Sequence, residues 1–181
     1  MSYYLVELRS QLLNMVANNN DSTPADRVRE LLDVAVPALQ RISVIPVALS
    51  QEEVAAAFDQ VRSLSAQMIE LGFVEPIMFE LFDAWENRYV RAQDLTSIVL
   101  EDIRRISDQA VAAYLSLDGD NTRLALAQAK IFAWSIALLV EAVSGIWSSL
   151  DDRSVNALKE LATVSNDLLQ IVTDSLPEDA E

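Results

Sequence analysis

The chain has 181 residues with no His, no Cys and three Gly, which removes imidazole and thiolate chemistry, disulfides and the usual di-iron motif. Its 28 acidic and 13 basic residues leave a net charge of −15, which argues against unaided binding to nucleic acid or anionic membranes, because Lys and Arg dominate phosphate recognition. Apolar residues make up 51% of a Gly- and Pro-poor chain, so its helices must hide more than a narrow stripe, in a thick core or under another copy, a partner or a greasy ligand.

The first helix is expected over Tyr3 to Ala17, with Leu5, Leu8, Leu12, Met15 and Val16 on one face, and Asn18-Asn19-Asn20-Asp21 ends it. Thr23-Pro24-Ala25-Asp26 is a start signal: a hydroxyl to cap free N–H groups, Pro at the first helical position and an acid facing the dipole. The helix that follows carries Val28, Leu31, Leu32, Ala35 and Leu39, and Pro37 is expected to kink or end it. Ile42 to Leu49, with Ile45-Pro46 and no polar cover, reads as a buried connector.

Ser50-Gln51-Glu52-Glu53 is a capping box, and the helix behind it aligns Val54, Phe58, Val61, Met68 and Leu71 before Gly72, a plausible left-handed stop. From Met78 to Leu117 there is neither Gly nor Pro. One seam runs through the segment: Met78, Phe82, Trp85, Tyr89, Ala92, Thr96, Val99, Ile103, Ile106, Ala110, Ala113 and Leu117. Steps of four and three keep such a seam on one helical face. A cap at Asp94 would permit a break, but the unbroken phase predicts one long helix over roughly 76–117.

Asp118-Gly119-Asp120-Asn121 is the sharpest turn signal. Thr122 to Ser149 then forms a helix apolar on most of its circumference. Its stretch Ile131 to Leu150 is about as long as a membrane span, yet it carries Glu141 and lacks basic flanks, so a buried core helix is the expectation. Asp151 or Asp152 caps a last helix that Pro177 stops, and residues 177–181 read as a frayed acidic tail. The sequence thus predicts one all-α domain over 1–181, an elongated bundle of about six helices.

Few residues suggest a site. Glu141 lies among Leu138, Leu139, Val140, Ala142 and Val143; it either contacts a ligand or pairs with Arg88, Arg91 or Arg104. Trp85, Tyr89, Trp134 and Trp147 are core aromatics or the walls of a cavity or partner patch. Asp118 to Thr122 starts like a calcium loop, but the twelfth position is Ala129, so a capped turn is expected. Glu80, Asp83, Glu86, Asp94, Glu101 and Asp102 match a magnesium-dependent all-α nucleotide pyrophosphohydrolase only in part and read as a solvated face. No metal ligand, cofactor or nucleophile is therefore assigned.

The expected function is non-enzymatic: an acidic helical protein working through protein–protein contacts, as an assembly component, adaptor or chaperone-like binder. Protein partners and a homo-oligomer are expected, without direct nucleic-acid or membrane binding, in a cytoplasmic or intravirion setting. A DNA-mimicking inhibitor is the main alternative, and the magnesium-dependent hydrolase a further one.

Overall fold

The computed structural model describes residues 22–175, so the expected first helix and the acidic tail lie outside the described residues. Within them stand six helices and no strand: α1 Pro24–Arg41, α2 Gln51–Glu70, α3 Met78–Val90, α4 Leu95–Asp118, α5 Thr122–Ile146 and α6 Asp152–Ser175. The all-α expectation holds, and the helices pack as a compact bundle rather than an elongated one.

The helix starts follow the capping chemistry. Thr23 Oγ1 accepts from the Asp26 N–H at 3.2 Å while Asp26 reaches back to the Thr23 N–H, so α1 opens on a full capping box. Ser50 and Glu53 do the same for α2. Asn121 caps α5 and Asp151 caps α6 through the N–H groups of Leu124 and Ser154. Each cap satisfies a donor that the helix itself leaves unpaired. Gly72, at φ +75°, ends α2, with Phe73 N–H donating to Met68 O at 2.8 Å and Gly72 N–H to Ile69 O at 3.0 Å. This pair of bonds is the Schellman arrangement, which requires a left-handed residue at that position.

Two expectations need correction, and a third, that Pro37 kinks or ends its helix, is narrowed. The segment 76–117 is two helices rather than one, broken at Arg91 to Asp94. Asp94 accepts from both the N–H (3.2 Å) and the hydroxyl (2.6 Å) of Ser97, so a new helix starts there. The seam still faces inward on both sides of the break, with Phe82, Tyr89, Val99, Ala110 and Ala113 fully buried. Pro37 does not end α1, which continues to Arg41. The proline lies on the exposed side, where water can serve the carbonyl left without a donor. The connector 42–49 is a surface strap: Ile42 is buried, but Ile45 is 60% exposed. A buried irregular backbone would leave polar groups unpaired, and here only a few are taken up by protein. Ser43 exchanges bonds with the Ser154 hydroxyl, and Ile45 O accepts from the Trp147 indole at 2.6 Å.

α5 is the centre, packed extensively on α4 and α6 and also on α2. Ala125, Ala129, Ala133 and Ala142 on it are fully buried, and such small residues let neighbouring helices come close. A Cβ added to Gly145 would meet the Ala57 carbonyl at 3.3 Å, so α2 and α5 touch there backbone to backbone. α1 lies antiparallel against α6, since Arg41 pairs with Glu160 at one end while Arg27 faces Asp167 at the other. By length and composition α5 is apolar enough to cross a membrane, and 61% of its most apolar window is buried inside the bundle.

Candidate binding groove and a buried carboxylate

The singled-out residues fall in two separate places. Trp85 and Tyr89 come together on α3, where they hold a carboxylate that the sequence reading had placed on the solvated face. Asp102, on α4, is fully buried. It accepts from Trp85 Nε1 at 2.7 Å, Tyr89 OH at 2.6 Å and Arg88 at 3.0 Å, and Arg105 lies at 3.1 Å. The helix break makes this possible. On a straight helix Tyr89 and Asp102 would stand about 20 Å apart along the axis. The corner at 91–94 folds α3 back so that three of its side chains reach one carboxylate.

Phe58 closes the cluster from α2, with ring centroids 5.2 Å from Trp85 and 5.3 Å from Tyr89. Arg62 lies over the Phe82 ring at 5.1 Å and pairs with Asp83 at 2.9 Å and with Glu86. Burial and the neighbouring carboxylate both push the Tyr89 phenol above its ordinary range. Four donors around one acceptor leave no position from which a reacting group could be addressed. The cluster therefore serves to fasten α3 to α4 and α2. A signal for it existed: Asp102 falls one turn after Val99 and one before Ile106, inside the apolar stripe.

Of the other acids, Glu80, Asp83, Asp94 and Glu101 are exposed and Glu86 is half-buried. Among the described residues no group of three or more acids is placed to hold a metal ion. Asp118 pairs with Arg29 at 2.6 Å, Asp120 takes a left-handed conformation at φ 55°, and Asn121 caps α5, so that segment is a helix–helix turn.

Glu141 and Trp147 meet in the second place, a groove of about 650 Å³ over α5, flanked by α2 and α6. Leu64 and Met68 form one wall, Val155, Leu158 and Ala162 the other, with Ala137, Val140, Glu141 and Ser144 as the floor. Trp147, only 2% exposed, closes one end, fixed by its bond to the strap. At the other end Ser165 donates to the Ala133 carbonyl at 2.7 Å and holds α6 on α5. Lys159 and Asn166 stand on the α6 side.

Glu141 is half-buried, and burial alone raises its carboxyl above the usual range. The expected ion pair to Arg88 is not formed, because Arg88 turns to Asp102 and Glu101. Nor do Arg91 or Arg104 supply a counter-charge to Glu141 among the described residues. Trp134 belongs to neither place: it is buried, and its indole N–H has no hydrogen-bond partner among the described residues.

No family profile, curated protein or solved structure matches the chain.

Proposed function

We propose that the protein is a non-enzymatic binding protein that receives an amphipathic helix in the groove between α2, α5 and α6. The groove's own makeup carries this reading: a largely apolar trough about as long as three helical turns, with one carboxyl in its floor that burial alone perturbs. Helix-in-groove recognition uses apolar anchors at spacings of three and four residues. A basic side chain beside those anchors would give Glu141 an ion-pair partner, which it does not have among the described residues. Protein–protein contact is thus the favoured activity.

DNA mimicry has less support, because several surface acids are paired with a cation: Asp118 with Arg29, Glu160 with Arg41, Glu75 with Lys130, and Asp83 and Glu86 with Arg62. The hydrolase reading finds no carboxylate cluster among the described residues.

Two synthetic amphipathic helices that differ only in one flank residue, Arg or Glu, test the reading by fluorescence anisotropy. The Arg peptide should bind about tenfold tighter, equivalent to about 1.4 kcal/mol, and Glu141→Gln should erase the preference. No binding of either peptide, or a preference unchanged in Glu141→Gln, would overturn it.

A further inference from the structure

We infer that the outer face of the α4–α5 hairpin is a self-docking surface, on which a second copy of this chain packs about a twofold axis at Val111. The expected self-association thereby gains a place. The inference does not depend on the groove, since no residue of this face lines it.

Five of the ten exposed large apolar side chains among the described residues stand on these two helices: Leu100, Val111, Leu115, Leu124 and Ile131, with Leu115 at 67%. On α4 the steps from Leu100 to Arg104, Val111, Leu115 and Asp118 keep all five within a sector of about 60°. The buried Val99, Ile106, Ala110 and Ala113 lie on the opposite side. α5 runs antiparallel beside α4, in the register fixed by the 2.6 Å bond from Ser116 Oγ to Gln128. That register sets Ile131 level with Ala113, between Val111 and Leu115, so both helices contribute to the surface.

Charge decides what covers it. The exposed charged residues of α4 and α5 are Glu101, Arg104, Arg105, Asp108, Asp118 and Arg123, three of each sign, on a chain whose net charge is −15. Such a chain repels a second copy of itself in general, and this balanced face is where the repulsion is least. The order of the signs then fixes the arrangement. Arg104 lies seven residues before Val111 and Asp118 seven after it, about two helical turns to either side. An antiparallel copy centred on Val111 therefore sets Arg104 opposite Asp118 of the second copy at both ends of the contact, with the apolar side chains between. A twofold contact needs a surface that is its own complement, and this stripe is one. Arg104 forms no ion pair among the described residues. Asp118 gives Oδ1 to Arg29 at 2.6 Å, which leaves Oδ2 for another cation.

From Leu100 to Asp118 the face is about 27 Å long and, with helix axes about 10 Å apart, about 20 Å wide, or about 500 Å² per copy. That falls below the ~800 Å² per partner of a standard interface, so monomer and dimer should exchange with concentration.

Sedimentation equilibrium of the full chain from ~1 µM to ~1 mM tests the proposal. The wild-type mass should rise toward two chains, whereas Val111→Arg, which puts two cations on the axis, should stay monomeric. Arg104→Asp and Asp118→Arg should each dimerise at least tenfold more weakly alone, because like charges then face one another at both ends. Mixed in equal amounts, they should form a heterodimer of wild-type strength, since each carries the sign that the other needs. That recovery also shows that both variants fold, and circular dichroism checks Val111→Arg and a second disrupting variant, Leu115→Arg. A monomer throughout, a mass that passes two chains, a dimer that survives both Val111→Arg and Leu115→Arg, or a mixture no stronger than its components would overturn the proposal. Each of these outcomes leaves the groove reading in place, because the peptide anisotropy assay scores that reading separately.

Discussion

Asp102 and Glu141 are both acids on helical faces that the apolar pattern turns inward, yet their surroundings differ in kind. Asp102 is sealed by an indole, a phenol and two guanidiniums. Glu141 stands in a trough where burial raises its carboxyl, and it forms no ion pair among the described residues. The contrast separates two meanings of a buried acid. Where every lone pair is met from within, the group holds the architecture together. Where desolvation is not offset by a neighbouring charge, the acid holds its proton to higher pH, and the groove proposed as a binding site is where such an acid stands.

The largest effect tests the sealed side. Asp102→Ala leaves the Tyr89 hydroxyl, the Trp85 N–H and Arg88 without their acceptor. It should cost about 3–5 kcal/mol in chemical denaturation, enough to unfold a marginal domain. A loss below ~1 kcal/mol would mean that the cluster does not secure α3.

On the open side the reverse pattern is expected. Ala162→Arg, at a half-buried wall position, should change stability by less than about 0.5 kcal/mol. It should weaken peptide binding at least tenfold in the anisotropy assay. Stability loss without binding loss would place Ala162 in the core instead of the trough.

Asp167, one residue past the groove wall at Asn166, sharpens the comparison through pH. Burial raises its carboxyl to about 6, with Arg27 opposing part of the shift. Its folded value lies above its ordinary one, so the folded state holds more protons between about pH 4 and 6, and its contribution declines as pH rises through that window. Asp167→Asn should therefore stabilise the protein by ~1 kcal/mol at pH 7, after reduction for solvent screening, and have almost no effect at pH 4. Glu75 behaves oppositely: the bond to Lys130 lowers its carboxyl, and the stability it brings is lost as pH falls through the folded value. Thermal melts from pH 4 to 8 should show a maximum on the acid side of neutrality that moves upward in Asp167→Asn.

The smallest effect is conformational. Asp120 occupies the left-handed position after α4 that glycine fills after α2, so Asp120→Gly should gain about 0.5 kcal/mol. A loss instead would show that the Asp120 side chain contributes a contact of its own.

The sequence revealed the helices through chemistry that acts over three or four residues. Thr23, Ser50, Asp94, Asn121 and Asp151 each cap a helix by bonding an N–H three positions on, so their signals are local. The break at 91–94 escaped because the apolar seam has the same phase on both sides, and periodicity reports which face is buried rather than whether the axis bends. Asp102 escaped because its neighbour Glu101 is exposed, and two adjacent acids read as one solvated patch. Its donors lie 13 to 17 positions upstream and arrive only when the corner forms. The groove was less readable still. It depends on how three helices separated in sequence are spaced, and no residue on α2 announces Glu141 or Ala162 on the facing helices.

The surface strap has a consequence for how the protein is made. Ile45 and Ser43 find their partners 102 and 111 positions later, at Trp147 and Ser154. At ordinary translation speeds those partners emerge roughly 5–20 s afterwards. During that interval α1 and α2 have been synthesised, but the α5 and α6 faces that cover them have not. The nascent chain must carry their apolar faces uncovered on the ribosome, and a ribosome-side chaperone would meet this protein through its first third.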